Sequence, residues 1–226
     1  MTGEGMAEGL QAAYREKVER DLADAFRQSL ELGFLGRMPI ADQIDHALGF
    51  VSILEVARGG PPTDVIDLGT GGGLPGLVLA SCWPDTRVVL MDVNERRTSF
   101  LHEVVESWPG PVRAEVLRGR AEELGRAPDY REQFECVTSR SFGLPAATAE
   151  CGSSFLEIGG SMVISEPPEL DGSERWPESG LRTLGLVPGS VLRPLSKFGY
   201  QVLMKTDPLD ERFPRRVGVP VKRPIF

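Results

Sequence analysis

The stretch DVIDLGTGGGLPGLVLA, residues Asp64 to Ala80, decides the fold. DVIDL is a short apolar run with a carboxylate near its end, the pattern of a buried strand. Five glycines follow between positions 69 and 76. Glycine loses more backbone freedom on folding than any other residue, so five together need a cause. LPGLVLASC then reads as a helix, with Pro75 in its first turn, where a missing N–H costs little. Strand, glycine turn and helix in that order make a nucleotide-type binding turn.

Outward from this turn, strands and helices alternate. RVVLMD is a second strand, followed by the helix NERRTSFLHEVVESW. VRAEVLRG is a third strand with RAEEL as a helical turn, FECVTSR a fourth with the helix LPAATAECGSSFL, and GSMVISE a fifth. After a stretch poor in helix signals, with Pro167, Pro168 and Pro177, LVPGSVLRPL and GYQVLMKTD close the pattern as an antiparallel pair. Upstream, Tyr14, Val18, Leu22, Phe26 and Leu30 recur every fourth residue, predicting a helix over 7–32. A second helix is expected over 40–57, before the break RGGPPT. The expectation is one α/β domain over 1–226. A helical cap spans 1–58, and a mostly parallel seven-stranded sheet, covered on both faces, spans 59–226 and ends in a basic tail.

A chain of 226 residues can build one such core. Its 41% hydrophobic and 26% charged residues exclude a disordered or membrane-embedded class. No apolar run reaches the roughly 20 residues of a membrane span. MTGEGMAEGL lacks the basic and apolar regions of a secretory signal. A cytoplasmic location with no membrane partner is the expectation. Cys82, Cys136 and Cys151 are odd in number and widely spaced, so they read as core fillers. His46 and His102 have no Cys/His cluster around them, and no metal is expected.

The net charge of −8 opposes indiscriminate nucleic-acid binding, which runs on phosphate neutralisation. The charge is uneven, however. The tail RFPRRVGVPVKRPIF carries Arg212, Arg215, Arg216, Lys222 and Arg223 and no acid, which leaves −13 on residues 1–211. An acidic body with a basic, proline-stiffened end can touch a structured RNA locally.

Three ligands compete for the glycine turn. A P-loop needs Lys-Ser/Thr after its last glycine, and Leu77-Val78 stand there instead. A dinucleotide fingerprint fits Gly71, Gly73 and Gly76 by spacing, but it starts two residues after the strand has ended. The third is S-adenosylmethionine. Asp67 at the strand end would meet its ammonium group, directly or through water, and the turn from Gly69 and Thr70 through Gly71 to Gly73 would let the backbone approach it. Asp92, closing the second strand, can accept both ribose hydroxyls.

The motifs together resemble one family. DLGTGGGLPG, RGRAEE (118–123), TSRSFG (138–143) and RFPRRVGVPVKRP (212–224) occur in order over residues 60–226. They are similar to those of the small-subunit ribosomal RNA methyltransferase G family, also called glucose-inhibited division protein B. The resemblance implies a class I, Rossmann-like methyltransferase fold that uses S-adenosyl-L-methionine. It implies methylation of one guanine N7 in 16S ribosomal RNA, with the small ribosomal subunit as partner. It further implies that Gly69 and Leu74 line the cofactor, that Ala121 and Glu122 sit beside the adenine, and that Arg140 is the catalytic residue, reaching cofactor or target base. Read from the residues alone, Arg140 stands at the carboxyl edge of the fourth strand, where doubly wound sheets bind ligands. Phe142 is the best-placed aromatic for stacking on a base.

Three stretches depart from the family pattern. No Asn-Leu-Thr triplet precedes the second helix. His46 is followed by ALGFVSIL, without the Asp-Ser pair usual there. Ser165-Glu166-Pro167-Pro168 replaces a Lys-Gly after the fifth strand. The cofactor half is kept and the acceptor half is altered. A small-molecule methyltransferase on the same scaffold, or a non-catalytic S-adenosylmethionine-binding protein, therefore stands as an alternative. Guanine N7 carries a lone pair and no proton, so its methylation needs positioning rather than a general base.

Overall fold

The computed structural model describes residues 3–167, 174–193 and 197–226, with side chains from residue 12 onward. Pro168 and the end of LVPGSVLRPL lie outside the described residues. The chain begins with two helices, α1 (Gly3–Glu31) and α2 (Ile40–Arg58). The alternation then runs β1 (Asp64–Leu68), α3 (Gly76–Cys82), β2 (Arg87–Asp92), α4 (Glu95–Glu106), β3 (Ala114–Arg118), α5 (Ala121–Leu124), β4 (Phe134–Ser139), α6 (Pro145–Ser153) and β5 (Leu156–Glu166). It closes with α7 (Glu178–Arg182), β6 (Leu186–Leu192), β7 (Gly199–Lys205) and α8 (Val219–Lys222).

The seven strands form one sheet in the order β3-β2-β1-β4-β5-β7-β6. The first five are parallel, and β7 inserts antiparallel between β5 and β6. Strand order reverses between β1 and β4, so their carboxyl ends diverge and open a crevice at the glycine turn. Two features differ from expectation. β5 begins at Leu156, four residues early, where it pairs with Phe134 before a register shift. The stretch read as poor in helix holds α7, one turn whose Leu181 is buried.

One face of the sheet carries α1 to α4. The α1 stripe buries Val18, Leu22 and Phe26, with Tyr14 packed at its edge. α2 is apolar nearly all round because it is covered by α1, α3 and β7. Its Gly49 exists for Tyr200: a β-carbon there would fall 2.0 Å from the Tyr200 hydroxyl oxygen, which donates to the His46 carbonyl at 2.7 Å. The other face carries α5, α6, α7 and the C-terminal tail. All three cysteines are buried and free.

The tail is a packed strap. Arg126 donates to the carbonyls of Pro214 (2.7 Å) and Arg212 (2.8 Å), and Arg131 to those of Phe213 (2.7 Å) and Leu209 (3.0 Å). Phe213 and Pro220 are buried. This corrects the expectation for one tail cation. Arg215 lies against the fully buried Glu150, at 2.6 Å from Oε2, and its own N–H donates to Oε1 at 2.7 Å. Arg212, Arg216, Lys222 and Arg223 remain exposed.

Candidate functional site

The glycine turn takes backbone angles that only glycine adopts without strain. Gly69, Gly71 and Gly73 have φ of 65°, 60° and 98°. Asp67 departs from its expected role. It is completely buried, and its two oxygens accept from the Gly76 N–H (2.9 Å) and the Thr138 hydroxyl (2.9 Å). It braces the turn from behind and does not line the cleft. Burial pushes its carboxyl up to about 6, against the opposing pull of the hydrogen bonds from Thr138 and Gly76 and of the Arg140 charge. The Thr70 hydroxyl is buried beside it without a hydrogen bond of good geometry among the described residues.

Two cavities meet at the turn and share Gly69, Arg97 and Ser141. The first, of about 270 Å³, lies between Asp92, Ala121, Glu122, Phe142 and the tail residues Pro220 and Val221. Asp92 Oδ2 accepts from the Gly71 N–H at 3.0 Å, and Oδ1 from Asn94 at 2.8 Å. Arg97 Nη1 stands 3.4 Å from Oδ2. The carboxylate therefore ties the turn to β2 and keeps acceptor capacity toward the cavity. Ala121 and Glu122 open α5, where helix geometry leaves backbone N–H groups without helical partners. Glu122 also accepts from the Gly218 N–H at 2.9 Å, which fastens the tail over this end.

The second cavity, of about 410 Å³, is lined by Gly71 and Leu74 of the turn, by Phe34, Gln43 and His46 of the helical cap, and by Arg140. Arg140 leaves the sheet one residue after β4 ends. Its Nη2 donates to Gln43 Oε1 at 3.0 Å, while the Gln43 amide is held by the carbonyls of Gly36 (3.0 Å) and Met38 (2.9 Å). Burial lowers the guanidinium's pKa, and the Asp67 charge opposes this; it stays protonated. Ser141 follows with φ 60°, a strained value for a residue with a β-carbon, costing about 1–3 kcal/mol. The strain turns Phe142 back toward Gly69, where its ring would meet a β-carbon at 2.8 Å. His46 stacks on Phe198 at 4.4 Å. Burial, and then the Arg140 charge, push its imidazole down to about 3, so it is neutral.

The sequence-expected residues thus divide. Gly69, Asp92, Ala121 and Glu122 line the first cavity; Gly69, Thr70, Gly71, Leu74 and Arg140 line the second. Gly73 is a buried shaping residue whose β-carbon would meet Leu77 at 2.3 Å. Gln43, Gly72 and Arg97 were missed. A signal for Arg97 existed: Arg96 and Arg97 sit in the first turn of α4, where the helix dipole disfavours cations. The pairings of Gln43 with Arg140 and of Gly72 with Ser29 had no local signal, because those partners lie 97 and 43 residues away.

The comparisons with known proteins agree with this geometry. The family described as rRNA small subunit methyltransferase G matches residues 42–166. The chain belongs to that family. It is 34% identical to the ribosomal RNA small subunit methyltransferase G of Moorella thermoacetica over 73% of its length and 70% of the relative. To the protein of that name from Thermotoga neapolitana it is 33% identical over 72% and 71%. Among solved structures it is similar to a 16S rRNA (adenine(1408)-N(1))-methyltransferase from Catenulisporales acidiphilia. The TM-score is 0.53 at 17% identity, over 69% of this chain and 90% of that one. That likeness shows the class I methyltransferase fold. This family member is an enzyme that uses S-adenosyl-L-methionine. The donor set fits that group: a turn open to the cavity at Gly71, where nothing lies within 3.8 Å of an added β-carbon, and a carboxylate at the β2 end for a ribose.

Proposed function

We propose that the protein methylates N7 of a guanine in 16S ribosomal RNA, acting on the small ribosomal subunit in the cytoplasm. Asp92 would hold the ribose hydroxyls of the cofactor, the start of α5 at Ala121 and Glu122 its adenine, and the Gly69–Leu74 turn its amino-acid part. When bound, S-adenosylmethionine supplies a methyl group on a positively charged sulfur. Arg140 lines the second cavity, next to Ser141 that both cavities share, and would hold either the cofactor carboxylate or the target base. Gln43 fixes its direction. No proton needs removal from guanine N7, which agrees with a site whose one histidine is held neutral and has no carboxylate partner among the described residues. The exposed cations Arg120, which lines the first cavity, and Arg96, which lies over the Phe34 ring of the second, suit phosphate contacts that position RNA.

The observation that carries this reading is the Arg140–Gln43 pair facing the glycine turn from across the second cavity. Transfer of labelled methyl to small subunits from a host lacking its own enzyme tests it, with naked 16S RNA and a metabolite extract in parallel. Subunits should gain one methylated guanine. Arg140→Ala should lower the rate by about 100-fold, as expected when a positioning group is removed, with thermal unfolding little changed. Label entering only a metabolite would overturn the RNA assignment.

A further inference from the structure

A third cavity, of about 270 Å³, lies beyond Ser141 and Phe142, on the far side from the helical cap. It is walled by Ser139, Thr148, Glu166 and Trp176. Its polar lining is unusual in one respect. Ser139 is completely buried, and Thr148 and Glu166 are 2% and 5% exposed, yet Ser139 Oγ, Thr148 Oγ1 and Glu166 Oε2 have no hydrogen-bond partner among the described residues. Leaving a buried polar atom unsatisfied costs about 1–3 kcal/mol, more for a charged group. Two unpaired hydroxyls, beside a carboxylate oxygen whose one neighbour is the Arg175 ion pair, mark a place that can receive polar groups from outside.

Glu166 is held for that task. Its Oε1 accepts from the Trp176 indole N–H at 2.9 Å, which fixes the carboxylate plane. Arg175 Nη1 lies 3.1 Å from Oε2, off the hydrogen-bonding direction, so this oxygen has a neighbouring charge and an open lone pair. Burial pushes the carboxyl above its ordinary value, while the indole hydrogen bond and Arg175 pull it back. An incoming pair of N–H donors would favour the charged form further. The departure at Ser165-Glu166 thus has a physical reading: the acid lines a cavity that suits N–H donors and repels a phosphate.

We infer that this cavity is the recognition pocket for the target base, with the Glu166 carboxylate accepting the N1–H and the exocyclic amine of guanine. The inference rests on the guanine-N7 reading above. The Watson–Crick edge of guanine points away from N7 across the purine, so a base offering N7 toward the shared Ser141 wall turns that edge inward. Guanine alone among the four bases puts two adjacent donors there. Adenine and cytosine put a ring nitrogen acceptor in the same place, and uracil flanks its one donor with two carbonyls. The Ser139 and Thr148 hydroxyls can donate to the guanine carbonyl O6, and the Trp176 and Phe142 faces bound a flat ring.

The test is binding of guanosine, inosine and adenosine monophosphates to the enzyme saturated with S-adenosylhomocysteine, read by ligand-observed NMR. Inosine lacks the exocyclic amine and keeps the N1–H and O6. The wild type should prefer guanosine over inosine monophosphate by about tenfold or more, the range of a hydrogen bond to a charged group. Glu166→Gln should lose that preference while S-adenosylhomocysteine affinity, which reports a folded cofactor site, stays that of the wild type; the amide oxygen can keep the Trp176 hydrogen bond, although loss of the Arg175 pair lowers the unfolding temperature. Trp176→Phe, which frees Oε1 but leaves the carboxylate, should keep part of it. Equal binding of the three nucleotides to the wild type, no binding, or an unchanged preference in Glu166→Gln would overturn the pocket. Methyl transfer to small subunits, measured on the same wild-type sample, separates this from failure of the parent reading. Transfer without guanine preference sinks the pocket, whereas no transfer to RNA sinks the reading.

Discussion

A β-carbon at Gly72 would lie 2.1 Å from Ser29 Oγ and 2.8 Å from the Leu35 side chain. The Ser29 hydroxyl is 3.2 Å from the Gly72 carbonyl, so the end of α1 sits directly on the binding turn. Gly72→Ala should overpack this junction and cost about 1–3 kcal/mol. Calorimetry should show weaker S-adenosylhomocysteine binding as well, because the cap is pushed off the turn; a variant that unfolds and binds like the wild type would show that the cap yields freely. His46 makes a second prediction at this scale. Its folded value of about 3 lies below the ordinary 6.5, so the folded state binds fewer protons than the unfolded chain between these values. Stability from this group is full above about 6.5 and is lost as pH falls toward 3. His46→Phe should flatten the acid side of the stability profile, read by denaturant titration from pH 7 to 4. Methyl transfer by the wild type should show no inflection from this imidazole near neutrality.

At the scale of elements, the central strands were legible because parallel strands buried on both faces read as continuous apolar runs. DVIDL and RVVLMD match β1 and β2 residue for residue. The start of β5 was hidden because Leu156–Gly160 mixes buried and exposed residues ahead of a register shift. The lining of the two cavities was legible where backbone conformation demands a residue type, at Gly69 and Gly71, and where a carboxylate ends a strand, at Asp92. Asp67 misled, since a buried carboxylate satisfied by Gly76 and Thr138 has the same sequence signature as a ligand-facing one. The tail's basic composition was legible, but its shape was not, being set by carbonyls that accept from Arg126 and Arg131. A chain ending after Glu211 would lose Pro220 and Val221 from the first cavity and leave Glu150 buried without Arg215. Breaking a buried pair by removing one partner costs about 3–5 kcal/mol. Truncation should therefore lower the unfolding temperature and S-adenosylhomocysteine affinity together. A truncated chain that keeps both would mean that the strap packs without contributing.

Across the whole molecule the question is how a body of −13 meets a polyanion. Exposed charges more than about 8–10 Å apart are largely screened at physiological salt, so the body repels RNA only where surfaces come close. The cations are gathered where approach is needed. Arg216, Lys222 and Arg223 follow the strap past the first cavity, and Arg96 and Arg120 stand near it. Arg215, spent on Glu150, is not available to phosphate. So few cationic side chains release few counterions, and binding to small subunits should have a shallow dependence on salt. Replacing Arg216, Lys222 and Arg223 by alanine should weaken binding and reduce the slope of log affinity against log salt by up to about three, one for each phosphate no longer neutralised. Unfolding temperature and S-adenosylhomocysteine affinity should stay those of the wild type, because these side chains are exposed and the strap's internal bonds are kept. A slope that does not change while affinity falls would mean that the three residues act by shaping the strap, and that RNA meets the protein on another face.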